Sequence, residues 1–371
     1  MKTSVPLPRS WAPTERKLIR LCEAARLSEI IEPTLALFRD MVGRCQLRSP
    51  DAPPRWSGLT DDSTPIEFSI VFSQRDRQLR LLFEPQGDPQ SPIEYWKSGQ
   101  RLTRYLARRW HASIDVARDV EPLFRPSAKD VLLAGGHAFE PVPHGSPKCK
   151  VYFNAMAAGV ERTDHVVGIA LAHLGYEAAW QQMRRALTPR DRIELLALDL
   201  TPLGRVKLYV RPIGASLRHL QSLANLAAQA DDGLIARAWQ IIHPTRPPER
   251  SRPTFLTYHL TDRGSAKPER ATFSIPLFPG IRSDLEVSRR VVRLFKELEI
   301  DHGPYLKCLS AMANQALWRE QGIHSYVAVQ TDGRDHAIVV YFNPRFYAAR
   351  HGFLARSPTR VWASPARNAR S

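Results

Sequence analysis

Two short apolar runs, Leu195–Leu200 and Val206–Tyr209, flank a turn that carries Pro202 and Gly204, and this pattern predicts a β-hairpin. On the second strand Arg205, Lys207 and Tyr209 share one face, while Val206 and Leu208 share the other. The apolar face suits a core; the other presents two cations and a phenol in a row. Four further hairpins show the same short, half-apolar strands. Thr64–Phe72 pairs with Gln78–Pro85, Gly136–Val142 with Cys149–Phe153, Thr254–Leu260 with Ala271–Leu277, and Ser325–Gln330 with His336–Phe342.

Between the hairpins the period lengthens to that of helices. Thr14 caps a first helix bearing Leu18, Ile19, Leu21, Cys22, Ala25 and Leu27, and a second runs from Thr34 to Gly43. Helical blocks follow at 90–122 (stripe Trp96, Leu102, Tyr105, Leu106), 160–188, 215–231 and 284–320. Helices and hairpin thus recur five times. Lys150 and Tyr152 return as Lys207 and Tyr209 at a constant offset, as expected of an ααββ repeat. Five hairpins give ten antiparallel strands, enough for a closed barrel with a ligand-sized lumen, belted by helices. The expected organisation is an irregular segment at 1–13, one barrel domain at 14–350 and a disordered tail at 351–371. Because cation-plus-tyrosine faces recur (Arg80 between Leu79 and Leu81, Lys150-x-Tyr152, and Tyr341 closing the last strand), the lumen is expected to be polar, positive and suited to an anionic ligand.

Composition changes this picture little. The 371 residues are 43% hydrophobic and 24% charged, ordinary for a globular chain. No apolar run approaches the roughly 20 residues that span a bilayer, and the N-terminus lacks a signal-peptide core, which points to the cytoplasm and away from membranes. Cys22, Cys45, Cys149 and Cys308 are scattered, with neither disulfide nor zinc spacing. A net charge of +16 favours anionic partners. A nucleic-acid-binding protein is the reading this charge alone would support, but such a protein needs its cations outside, not interleaved with a carboxylate on an inward strand face.

The order and spacing of Thr64-Pro65-Ile66-Glu67-Phe68-Ser69, Leu79-Arg80…Phe83-Glu84-Pro85, Lys150-x-Tyr152, Leu-Ala-Leu-Asp-Leu…Arg205-x-Lys207-x-Tyr209 and Tyr341-Phe342-Asn343-Pro344 resemble the dimethylallyltryptophan synthase type of aromatic prenyltransferase, over about residues 10–350. The length resembles its bacterial branch. The resemblance implies an α+β fold, the ABBA or PT barrel, and transfer of a dimethylallyl group from dimethylallyl diphosphate to the indole of L-tryptophan in specialised metabolism. It implies no cofactor and no magnesium: Asp61-Asp62 is not a D-D-x-x-D motif, since Pro65 stands at its last position. The partners implied are the two small substrates, with no nucleic acid or membrane, in a monomer or homodimer.

The resemblance also implies roles. Arg80, Lys150, Arg205 and Lys207 match diphosphate-binding positions, where paired cations stabilise the leaving group. Tyr152, Tyr209 and Tyr341 match the shield around the allylic cation. Glu67 matches the carboxylate that accepts the indole N–H, and the period-2 pattern sets it with Ser69 on the face opposite Ile66, Phe68 and Ile70. Arg192 matches the residue that meets the acceptor's carboxylate, and Leu59 the acceptor wall. Counting back along the hairpin from Lys150, His137 falls where relatives carry a polar residue, and a histidine there can serve as general base. Ser274 stands where the family usually has another tyrosine, which opens one wall. Geranyl diphosphate as donor, or an indole built into a peptide or alkaloid of the indolactam kind as acceptor, is therefore the alternative.

Overall fold

The computed structural model describes residues 9–49, 52–54, 57–127, 133–202, 204–244, 253–278, 281–332 and 335–347. The expected tail at 351–371 and the first eight residues lie outside the described residues.

Pairs of helices and pairs of strands alternate along the chain. Helices α1 (Ala12–Ala24) and α2 (Ile31–Arg44) precede β1 (Ile66–Ser73) and β2 (Arg77–Phe83). Helices α3 (Pro92–Trp110) and α4 (Asp115–Val120) lead to β3 (Gly135–Glu140) and β4 (Lys148–Asn154). The third unit is α5 (Thr163–His173), α6 (Glu177–Ala186), β5 (Asp191–Asp199) and β6 (Val206–Pro212). The fourth is α7 (Leu217–Ala224), α8 (Asp232–Ile242), β7 (Phe255–Leu260) and β8 (Arg270–Pro276); the fifth is α9 (Asp284–Glu297), α10 (Gly303–Met312), β9 (His324–Asp332) and β10 (Asp335–Phe342). Neighbouring strands are antiparallel throughout, and β1 pairs with β10, so the sheet closes on itself. The expected ten-stranded ABBA barrel is the observed fold.

Alternation decides what lies inside the ring. Ile66, Phe68, Ile70 and Phe72 of β1, and Val206, Leu208 and Val210 of β6, are buried against the helices. Phe72 meets Phe295 of α9 at 5.3 Å and Tyr305 of α10 at 6.4 Å between ring centroids, and Phe153 of β4 stacks on Phe124 at 5.0 Å. The main core is therefore a cylindrical shell between sheet and helices. Each buried side chain of this kind contributes about 1.5–3 kcal/mol. That leaves the other strand face free to line the lumen with polar groups.

Some boundaries differ from the sequence expectation. Helix α1 starts at Ala12 and buries Thr14 within it, because Pro13 suits a first turn and Trp11 anchors the start by stacking on Phe346, centroids 3.6 Å apart. Helix α3 turns Tyr95, Ser98, Leu102, Thr103 and Leu106 inward, and Trp96 sits beside this stripe rather than on it. Helix α8 lies beyond the expected block at 215–231 and is capped by Asp231, which accepts from the Leu234 N–H at 2.8 Å. Asp62 holds the end of the barrel domain: its carboxylate accepts from Thr60 Oγ1 (2.9 Å), the Thr64 N–H (3.1 Å), Asn343 Nδ2 (3.0 Å) and the Tyr347 N–H (3.3 Å). All four cysteines are buried free thiols. Among the described residues no helix is long and apolar enough to cross a membrane.

Candidate active site

The ladder carries one set of side chains around the inside of the ring. Ser69 lies opposite both Arg80 and Tyr341, Ala138 opposite Lys150, and Lys150 opposite Asp199. Lys207 lies opposite Ala197 and His259, and Thr272 opposite Thr257 and Gln330. Because every strand runs against its neighbours, the five hairpin turns gather at one end, and with them the cations.

At that end the positive groups interlock with carboxylates. Lys150 Nζ lies 2.7 Å and Arg205 Nη2 3.0 Å from the two oxygens of Asp199. Arg80 donates to Gln78 Oε1 at 3.2 Å and stands 3.6 Å from Glu140, which also holds Lys148 at 2.6 Å. Lys207 is 9% exposed and sits beside this network. Burial drives its ammonium well below the usual range, and Lys150, Arg205 and Arg80 push the same way as like charges. Lys150 is lowered to about 8, again by burial first, with Asp199 opposing. Burial would raise Asp199, but Lys150 and Arg205 outweigh it and hold the carboxylate below its ordinary range. His259 takes a hydrogen bond on Nδ1 from Arg270 Nε (3.3 Å), so its Nε2–H donates to Thr272 Oγ1 (3.0 Å). Burial and then Lys207 lower its pKa, consistent with that neutral tautomer. All four cations expected from the sequence converge here. Asp199, Glu140, His259 and Arg270 were not singled out in advance; Arg270 shares its strand face with Ser274, and Glu140 lies on the face of β3 opposite His137.

The middle of the lumen is aromatic. Tyr152 and Tyr209 have ring centroids 6.0 Å apart, Tyr209 and Phe255 6.3 Å, Phe255 and Tyr326 6.1 Å, and Tyr326 and Tyr341 6.2 Å. The result is an arc of five rings running from β4 round to β10. The three expected tyrosines belong to it; Phe255 and Tyr326 extend it. Burial raises the pKa of Tyr152, Tyr209 and Tyr341, so all three remain neutral phenols, with Tyr152 and Tyr209 hydrogen-bonded to each other. Strand β8 adds no ring to the arc: its Ser274 pairs with Phe255 and Ala328. Val71, Ala328, Ala337 and Val339 form a small apolar patch against Tyr341.

Glu67 lies nearer the other end, 5% exposed, and accepts a short hydrogen bond from Ser325 Oγ. Leu59 is half-buried on the loop before β1, and Arg192, half-buried, faces Arg211 in the β5–β6 ladder. His137 departs from expectation. It pairs with Val151 and Phe83, on the face opposite Lys150, and its Nε2 lies 2.8 Å from Thr103 Oγ1 of α3. Ala138, not His137, points into the lumen beside Lys150. Burial lowers the imidazole to about 3, so His137 is a neutral core residue between sheet and helix, not a base in the site.

A lumen with clustered cations at one end, aromatic rings in the middle and a carboxylate beyond can hold an organic diphosphate and shelter the cation it releases. The sequence profile of the family described as Tryptophan dimethylallyltransferase matches residues 29–307. The 5-dimethylallyl tryptophan synthase of Streptomyces coelicolor, solved in complex with DMASPP and Trp, is 26% identical over 93% of this chain and 98% of its own, with a TM-score of 0.85. The 6-dimethylallyltryptophan synthase of Micromonospora olivasterospora, also solved with DMASPP and Trp, is 26% identical over 91% of this chain and 98% of its own (TM-score 0.82). The prenyltransferase PriB, solved with L-tryptophan and dimethylallyl thiolodiphosphate, is 29% identical over 92% of this chain and 97% of its own (TM-score 0.81).

Proposed function

This chain belongs to the tryptophan dimethylallyltransferase family, and from that membership we propose a cytoplasmic, metal-independent enzyme that moves a dimethylallyl group from its diphosphate to the indole ring of L-tryptophan. Arg80, Lys150, Arg205 and Lys207 hold the diphosphate. As the allylic C–O bond breaks, its electron pair leaves with the diphosphate, and these cations stabilise the charge that develops there. The allylic cation lies against Tyr152, Tyr209 and Tyr341, whose faces attract it by roughly 0.5–2 kcal/mol each and whose bulk excludes water. Glu67 accepts the indole N–H, which orients the ring and raises its electron density as a ring carbon attacks. The arenium ion then loses a proton to the diphosphate just released, held beside it by the same cations.

The observation that carries this reading is the joint placement of the four cations, the aromatic arc and Glu67 along one strand face of a closed barrel. A second reading has one feature in its favour. Ser274 and Ala328 put two small side chains next to Phe255, which favours a donor longer than five carbons, geranyl diphosphate, or an indole carrying a larger substituent. Purified protein incubated with L-tryptophan, EDTA and each donor in turn decides between them by mass spectrometry. A product one C5 unit heavier supports the first reading. A C10 adduct formed faster supports the second, and no adduct from either donor with any indole overturns both.

A further inference from the structure

The β5–β6 ladder shifts register between Ile193 and Leu195. Ile193 pairs with Val210 on the helix side, and Leu195 with Tyr209 on the lumen side, so the additional residue, Glu194, is turned by the bulge into the barrel beside Leu195. The reaction described above makes no use of it. Glu194 is 2% exposed; its Oε1 accepts from Arg211 Nη1 at 3.0 Å, and its Oε2 has no hydrogen-bond partner. Burial pushes its carboxyl up to about 7, with Arg211 and Arg192 pulling the other way. A buried carboxylate oxygen left unpaired is costly, and a ligand bringing a charged N–H donor removes that cost. In the strand order, β5 and β6 stand across the ring from β1. Glu194 and its two arginines therefore face the wall that holds Glu67. An indole amino acid has the matching layout, with its ring N–H at one end and its ammonium and carboxylate at the other.

We infer that Glu194 receives the α-ammonium of a zwitterionic amino-acid acceptor, whose carboxylate is taken by Arg192 and Arg211, and that it thereby selects free amino acids over indoles lacking that amine. The inference rests on the prenyltransferase reading and names the acceptor class for its site. No bond forms or breaks at Glu194; its part is recognition, and its signature lies in acceptor preference.

Calorimetry with the enzyme saturated in dimethylallyl thiolodiphosphate tests it. The acceptors compared are L-tryptophan and indole-3-propionic acid, which keeps the indole and carboxylate but lacks the amine. Wild-type enzyme is expected to bind L-tryptophan about tenfold or more tighter, the worth of one charge-assisted hydrogen bond. In Glu194→Gln the two acceptors are expected to bind within about threefold of each other. Equal binding by the wild type overturns the inference without any variant, and so does a preference that survives in Glu194→Gln. Steady-state turnover adds a second readout: the ratio of kcat/KM values for the two acceptors collapses in the variant, whereas equal loss with both would mark a structural or proton-transfer role. Failure of every indole to bind while the thiolodiphosphate does would overturn the acceptor reading itself, and this inference with it.

Discussion

Glu84 is fully enclosed just after β2, where the Ser57 hydroxyl donates to Oε2 at 2.8 Å and Oε1 has no hydrogen-bond partner. Burial raises its carboxyl well above the usual range, against the opposing hydrogen bonds from Ser57 and the Gly58 backbone. The unfolded chain ionises this group near its ordinary pKa of about 4.3, so its burden on the fold is absent below that pH and grows as pH rises toward the folded value. Glu84→Gln removes the ionisation and keeps the shape. Its Tm relative to wild type is expected to improve from pH 5 to pH 8, and a constant difference across that range would mean the carboxyl is ionised in the fold. His137 invites the converse experiment. His137→Ala removes a buried contact with Thr103, which retains the Gly99 carbonyl at 3.1 Å as acceptor. The variant is expected to lose about 1–3 kcal/mol of stability in chemical denaturation. Its kcat/KM is expected to change by less than about tenfold, below what a general base supplies. A larger kinetic loss in a normally folded variant would return His137 to the mechanism.

At the scale of elements, the hairpins β3–β4 and β5–β6 bring Lys150, Arg205 and Lys207 close enough to repel one another in a dry setting. The facing groups are Arg80 and Glu140 from β2 and β3, Asp199 from β5, and His259 and Arg270 from β7 and β8. A diphosphate held there as proposed favours the protonated lysines, so donor binding is expected to be coupled to proton uptake. Affinity is expected to weaken as pH rises, most clearly above about 8, where Lys150 loses its proton in the free site. Calorimetry of the thiolodiphosphate in buffers of different ionisation heat measures this, and a flat affinity from pH 7 to 9 would mean that both lysines are already charged. On the second reading of the site, strand β8 sets the donor's length. Ser274→Tyr places a ring between Phe255 and Ala328 and is expected to shift turnover toward the C5 donor by about tenfold; an unchanged donor ratio would locate the tail elsewhere. These strand faces were legible in the sequence because Arg205, Lys207 and Tyr209 alternate with residues that must meet helices. The face of β3 was not, because the loop of unknown geometry at 141–147 lies between His137 and Lys150, and a slip of one residue exchanges the two faces. The bulge at Glu194 was hidden for the same reason: it interrupts the period on which the reading depends. Helix α8 was missed because its cap, Asp231, sits where an expected helix ended.

For the molecule as a whole, a net charge of +16 says less than its arrangement. The cations of the cluster point into the closed ring, Lys207 buried and Arg80, Lys150 and Arg205 half-buried, paired in part with Asp199 and Glu140. That enclosure depends on β1 meeting β10, and on Asp62 gripping Tyr347 across 285 positions of sequence. Synthesis delivers these partners at very different times. While the earlier repeats dock one on another, β1 presents an uncovered edge in which Ile66, Phe68, Ile70 and Phe72 alternate with Glu67, Ser69 and Val71, the kind of edge that recruits strands from other chains. A chain shortened before β9 is therefore expected to form higher oligomers in light scattering at concentrations where the full chain does not, and a monodisperse product would mean that another segment shields β1. The joint that closes the ring thus lies between β1 and β10, so the barrel stays open until the tenth strand has left the ribosome.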